Sequence, residues 1–432
     1  MIRKTILVFL LITSFSSFAQ RTNSSPYSFF GIGEEFGSRT VEQNSMGGVG
    51  VAFSHYKYLN FTNPAAYADL KYTTYAFGLL HNDLTVKDAT EKQNATSTSL
   101  SYFALAFPLG KKAGVFVGAQ PISSIGYSLI NRVYDVDDPD AVTEITLFSG
   151  DGGVNKFHGG FGAKIFEGLS LGIEANFSFG KVDNSVINQR ANVSLATKYN
   201  ETSTIVGGSI TVGAQYKEEL EEGLLLNLGM AIKLENNLKV EGNDYLYSFS
   251  YGGGGVEVPR DTIASGTISG NYILPAKTTV GAGLGKFDKW YAGIEYETQE
   301  AIKTTGFLSN TNAAYNYGAS NRISFGGFYI PKINSISSYW DRITYRAGVR
   351  LQKTGLLVDG SGSATNFTSI DDFGISFGLG LPLGNRYSNV NLGFELGKKG
   401  TTDNNLIEEN YFNFRLSLSL TDINWFIKRK ID

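Results

Sequence analysis

Apolar and polar residues alternate with period two along most of this chain. Leu169, Leu171, Ile173, Ala175, Phe177 and Phe179 interleave with Ser170, Gly172, Glu174, Asn176, Ser178 and Gly180. The same pattern recurs over residues 206–216, 342–351, 373–381 and 412–420. Each such run predicts a β-strand with one apolar face and one face of Gly, Ser, Asn and charge. Alternation alone does not separate a sandwich, whose apolar faces meet each other, from a membrane barrel, whose apolar faces meet lipid.

Strand length and turn asymmetry separate them. Many runs reach about 10–14 residues, which suits a tilted bilayer crossing better than an ordinary globular strand of about 5–6. Short connections at residues 110–112, 167–168, 218–223, 285–289, 331–341 and 384–387 alternate with long polar ones near 85–95, 131–152, 183–203, 241–268, 301–318 and 356–371. Counting between them predicts an all-β transmembrane antiparallel barrel of about 14 strands, with short turns at the periplasmic rim and long loops outside. Both chain ends then fall on the periplasmic side. Tyr72, Tyr75, Trp290, Tyr291, Tyr339, Trp340, Tyr411 and Phe412 sit near strand ends, where an interfacial girdle needs them. Glu174, Arg346, Arg350, Glu395 and Arg415 all fall on the polar phase, away from lipid.

Composition adds location and removes several function classes. Residues 1–19 read as a secretory signal, with Arg3 and Lys4, an apolar core from Ile6, and Ser17 and Ala19 at the cleavage positions. No later run is long and apolar enough for a membrane-spanning helix. The chain has 432 residues, no cysteine and a net charge of −3, so it carries neither a disulfide framework nor a nucleic-acid footprint. The expected organisation is a signal at 1–19, an N-terminal segment at 20–71, a barrel at 72–420 and a periplasmic extension at 421–432. The expected location is the outer membrane, in contact with its lipid.

One stretch departs from the alternation. Residues 44–53, with Gly47, Gly48 and Gly50, lead on to Asn63, Pro64 and Ala65 and then Leu70. Small, Gly-rich and interrupted by Pro, it suits a compact irregular segment. It predicts a plug, or hatch, in the barrel lumen. Movable closure and static filling both remain open.

A signal, a small-residue hatch ending in Asn-Pro-Ala and about 14 strands resemble the FadL-like long-chain fatty acid transporters of Gram-negative outer membranes. The resemblance implies passive uptake of hydrophobic molecules through the lumen and out sideways where the third strand kinks. That strand is expected over about residues 112–130, and the lateral gate at Gly118, Gln120, Pro121 and Gly126. The alternative for Pro121 is a bulge at the rim. The polar-aromatic head at residues 26–30 and the tail from Trp425 to Asp432 have no transport role and suit docking to a periplasmic or outer-membrane protein. They motivate a second reading, a non-transporting subunit or plug of a protein secretion or assembly complex.

Arg342, Arg346 and Arg350 recur every four residues and predict a stripe on one strand face. The stripe meets either a carboxylate head group or lumen carboxylates such as Glu174, Glu295 and Glu395. His55, His81 and His158 lie far apart with no cysteine, so no metal site is expected. No catalytic arrangement and no cofactor loop stand out; a non-enzyme is expected.

Overall fold

The computed structural model describes residues 23–221, 223–306, 314–384 and 387–422. Fourteen antiparallel strands close into one barrel. They are β1 (Thr73–Lys87), β2 (Lys92–Leu109), β3 (Ala113–Ile125 and Ser128–Tyr134), β4 (Val142–Phe166), β5 (Leu169–Arg190), β6 (Ala196–Glu219) and β7 (Leu224–Lys233 and Asn236–Tyr251). Then follow β8 (Glu257–Leu274 and Lys277–Lys286), β9 (Trp290–Gln299 and Lys303–Gly306), β10 (Tyr315–Tyr317 and Ser320–Tyr329), β11 (Thr344–Val358), β12 (Thr368–Pro382), β13 (Asn389–Gly400) and β14 (Glu408–Asp422). β1 pairs with β14 from Thr73–Asp422 to Lys87–Glu408, which removes the sheet edges that an open sheet would leave.

The expected alternation sets the register. Phe103, Phe157, Phe325 and Phe377 are each more than half exposed, while Ser178, Ser324 and Asn391 are fully buried. An apolar outer band with polar groups inside is stable only with lipid around it.

The long loops are a point of correction. Residues 183–203 and 241–268 are mostly strand: only residues 191–195 and 252–256 connect β5 to β6 and the two long pieces of β7 and β8. The strands run past the apolar outer band, and there the pattern inverts. Along β5 the outward residues change from Phe177 and Phe179 to Lys181, while the inward ones change from Asn176 and Ser178 to buried Val182. Above the bilayer water covers the outer face, so the apolar residues turn inward. Val154, Val182, Ile205, Leu238, Val240 and Ile268 form one cluster there with Ile32.

Residues 23–72 run inside the barrel. The sequence places both chain ends at the short-turn rim, but the first described residues lie at the other end. The Tyr27 hydroxyl donates to the Ile407 carbonyl, and Tyr27 packs with Val358, Ile370 and Leu406 near the long hairpins. Pro26–Phe29 is a short 3-10 helix whose Tyr27 and Ser28 are buried, so the aromatic head is occupied inside the wall. The chain descends from there to a second 3-10 helix, Pro64–Asp69, and enters β1 at the short-turn rim. The C-terminal residues 423–432, and with them Trp425, lie outside the described residues, as does the signal at 1–19.

Many inward glycines are where this segment touches the wall. A Cβ at Gly348 would collide with the Gly47 amide and the Met46 carbonyl carbon, one at Gly172 with Pro64 and Ala65, and one at Gly229 with Val51. Gly348→Val is therefore expected to cost about 1–3 kcal/mol by overpacking. The barrel should stay heat-modifiable on gels while residues 23–72 gain protease cuts.

At the short-turn rim His55 stacks on Phe287 and lies 3.1 Å from Asp288. Burial pushes its imidazole down to about 4, against the opposing pull of Asp288. The unfolded chain then takes up this proton first. Stability from this site is full above about pH 6.5 and falls by up to about 1.4 kcal/mol per unit as pH drops towards 4. Urea titrations at pH 7 and pH 5 should show this loss, and His55→Phe should shrink it.

Candidate functional site

The lumen segment begins its turn with a short helix, Val41–Asn44. Thr40 and Gln43 cap it reciprocally: the Gln43 N–H donates to the Thr40 hydroxyl, and the Thr40 N–H to the Gln43 side chain. Gly47 and Gly48 follow at φ +67° and +90°, a left-handed conformation that glycine adopts without strain. The turn aims the amides of Gly50 and Val51 at Glu295 on β9. They donate to its Oε2 at 2.8 and 2.7 Å. Its Oε1 takes Arg39 at 3.0 Å and Arg322 at 2.9 Å. Glu297 takes the same two guanidinium groups at 3.0 and 3.4 Å. Glu295 is only 1% exposed, so this is a buried charge fully surrounded by donors.

Asn63 is fully buried and ties three elements together. Its Oδ1 accepts from the Ala65 N–H at 3.0 Å, which caps the Pro64–Asp69 helix. Its Nδ2 donates to the Val51 carbonyl at 2.8 Å and to the Ala214 carbonyl on β6 at 3.0 Å. Asn60, which the sequence did not single out, donates to the carbonyls of Gly50 and Phe53 at 2.7 and 2.6 Å. Gly47, Gly48, Gly50, Asn63, Pro64 and Ala65 thus form one compact unit. Asp69 fixes its lower end through Lys164 at 2.7 Å and through Lys217.

Above this unit lies a cavity of about 350 Å³, with Arg39, Gly47 and Gly48 on its floor and Tyr27, Phe30 and Ile32 overhead. Its walls carry charges. Glu34 and Glu35 pair with Lys399 on β13 at 2.7 Å and Lys277 on β8 at 2.8 Å. Arg350 pairs with Asp372 at 2.7 Å and Glu395 at 2.9 Å, and Glu395 also takes Arg415 at 2.6 Å.

The three arginines do not form one stripe. Only Arg346 and Arg350 share the inner face of β11. Arg342 falls in the Trp340–Arg342 turn that precedes the strand, over the Tyr339 ring at 5.2 Å. That turn is held by the Lys332 N–H donating to the Asp341 carbonyl at 2.8 Å. Arg346 donates to Asn391 at 3.2 Å. Of the three expected carboxylates only Glu395 meets this group. Glu174 faces Lys156 and His158 at 3.7 and 3.5 Å, and Glu295 meets Arg39 and Arg322. Arg39 was missed because it lies in a segment without alternation. Arg322 carried a signal, the polar phase of Arg322-Ile323-Ser324-Phe325.

The third strand is interrupted later than its proline. Gly118 still pairs on both sides, with Ala104 and His158. The ladder to β2 ends at Ala119, and residues 120–125 keep β4 as their one partner among the barrel strands. Gln120 is buried with Nε2 3.5 Å from His158. Pro121 pairs with Asn155 just before a bulge. Gly126 occupies the break itself; its N–H donates to the Ser28 hydroxyl at 3.2 Å, and a Cβ there would meet the Asn23 carbonyl.

Glu295→Ala leaves Arg39 and Arg322 buried with only Glu297 to share. The expected cost is about 3 kcal/mol, the low end for breaking a buried pair. A urea series on the refolded barrel, read by heat-modifiability and by proteolysis of residues 23–72, measures it.

The fold is shared with hydrocarbon channels. A Pseudomonas aeruginosa FadL homologue superimposes with a TM-score of 0.60 at 12% identity, over 89% of this chain and 98% of the other. The Pseudomonas putida toluene transporter TodX gives 0.58 at 15%, over 90% and 99%. The monoaromatic hydrocarbon channel CymD gives 0.57 at 14%, over 88% and 97%. At these identities the likeness concerns the fold, and it meets the FadL-like resemblance of the sequence at that level. No curated protein matches. A family model described as BamG matches residues 1–432, from end to end. This chain, a 14-stranded barrel with a charged and occupied lumen, belongs to the BamG family.

Proposed function

We propose that this protein is a non-conducting outer-membrane barrel that serves as a subunit of a protein secretion or assembly complex. The observation that carries this reading is the lumen. A single segment is tied to β9 by the buried Arg39–Glu295 pair and to β8 and β13 by the Glu35–Lys277 and Glu34–Lys399 pairs, and the remaining cavity is lined by paired charges interspersed with apolar groups such as Phe30, Leu84 and Leu356. A path for hydrophobic molecules needs apolar lining, because transfer gains about 0.8 kcal/mol per buried CH₂ only against an apolar wall. Charged walls that are paired to one another favour rigidity. The family description also differs from the names of the hydrocarbon channels that share the fold. Thr421 and Asp422, expected in the extension, close the barrel against Thr74 and Thr73, and the remaining residues 423–432, with Trp425, are the proposed periplasmic docking piece; no catalytic step or cofactor is assigned.

A second reading, passive uptake of hydrophobic molecules such as long-chain fatty acids, rests on one observation. The β2–β3 ladder ends at Phe103–Ala119, and the cavity reaches Ile122 and Ser123 beside that point. Pro121 and Gly126 would then serve as a lateral gate.

A mild-detergent pull-down read by mass spectrometry for protein and lipid separates the two. Stoichiometric protein partners are expected, lost on deletion of residues 423–432 while the barrel stays folded. Planar bilayers should show no conductance. Fatty acid bound in the lumen, uptake sensitive to Pro121→Ala and no protein partner would overturn the proposal in favour of transport.

A further inference from the structure

Every strand of a closed barrel has two partners, yet two stretches here have one each among the described residues. Residues 92–102 of β2 pair with β1, from Lys87–Lys92 to Gly78–Tyr102, and the ladder on their other side starts only at Phe103–Ala119. Ser128–Tyr134 pairs with β4, from Ser128–Ser149 to Tyr134–Val142, and with nothing else. Between the two, residues 120–125 lean into the lumen. There Glu34–Glu35 takes their edge, pairing Glu34 with Ser124 and Glu35 with Ser123, and the Phe36 N–H donates to the Ile122 carbonyl at 2.7 Å. The N-terminal segment therefore satisfies the inner part of β3 and leaves both outer edges open.

The edges lack the usual protection. Exposed edge strands are normally blunted by proline, by charge or by being short. Residues 92–102 contain no proline and a single charge, Lys92, at the tip; Ser128–Tyr134 contains no proline and only Arg132. Their outward side chains are Thr96, Thr98 and Leu100 on one side and Ile130, Arg132 and Tyr134 on the other. Such side chains favour cross-strand pairing. The site also lies above the apolar band, since the outward residues of β2 change from Phe103 to Leu100 and then to Thr98 and Thr96. Water, not lipid, surrounds it, and a polypeptide can reach it.

We propose that residues 92–102 are a docking edge for an extended strand of a partner protein, which adds to β2 in antiparallel pairing with Ser128–Tyr134 as the far wall of the cleft. Backbone groups supply the bonds, and the hydroxyl and β-branched side chains select a partner strand rich in Thr, Ser, Val and Ile. The inference rests on the reading of the protein as a subunit of a complex.

The test uses the full chain in its own membrane. A photo-crosslinking residue at Thr96 or Thr98 should give a discrete protein adduct. The same residue at Thr204, exposed on β6 and paired on both sides, should give none. Thr96→Pro and Ser97→Pro provide a second measurement. Consecutive N–H groups of a strand point to opposite sides, so one of the two removes a donor from the free edge and spares the β1 ladder. That variant should lower the adduct at least tenfold while heat-modifiability is kept. Adducts to lipid only, or equal adducts at Thr204, with protein partners still recovered by pull-down, would overturn the docking edge and leave the complex reading standing. Recovery of no partner at all would overturn both.

Discussion

Glu295 is a carboxylate with almost no contact with solvent, at the point where the inner segment meets the barrel wall. Removing such a group from water costs several kcal/mol unless hydrogen bonds and opposite charges replace the solvent. Here the replacement comes from three parts of the chain at once: two amides of the glycine turn, Arg39 from the descending segment and Arg322 from β10. Each part is held where it is because the others are. The turn needs Gly47 and Gly48 to face Glu295, and β11 and β10 need glycine at 348 and 326 to let the turn approach. The interaction makes the segment a structural member of the wall.

The rest of the lumen follows the same logic in two layers. Within the bilayer, inward charges must find each other, as Arg350, Asp372, Glu395 and Arg415 do. Above it, the outer face meets water, and an ordinary apolar core forms inside around Ile32 and Tyr272. One segment threads both layers, and at its lower end it packs Leu59, Phe61, Tyr67 and Leu70 against Tyr102 and Phe116 of the wall. It carries Glu34 and Glu35 where it needs charge and Tyr27 and Ile32 where it needs apolar surface.

The barrel was legible because lipid imposes a strict period of two over a fixed length. Strand faces, charge phase and the closing count all followed from that. What was not legible lies where the constraint relaxes. Residues 183–203 and 241–268 read as loops because strands above the bilayer have polar outer faces and little apolar contrast. Gly172, Gly213 and Gly348 read only as the polar phase, although each marks a contact with the inner segment. The Gly47 to Ala65 stretch was visible as an exception to alternation, but its partners were not, since Arg39 and Asn60 sit in a region with no period. The end of the β2–β3 ladder came within two residues of Pro121, while the actual break, at Gly126, is set by the Asn23 carbonyl and Ser28 beside it.

The order of events during folding is a consequence of where the inner segment sits. It precedes β1 in the chain, and β1 closes against β14, the last strand to be made. Its backbone touches the wall at glycines with no space for a methyl group, so it cannot slide through a finished cylinder. It has to be enclosed as the wall zips around it. The contacts that hold it, such as Gly47 with Ser376 and Glu42 with Asn391, span more than three hundred residues of sequence. Closure of this barrel is therefore a late, slow and cooperative step that waits for the final hairpin.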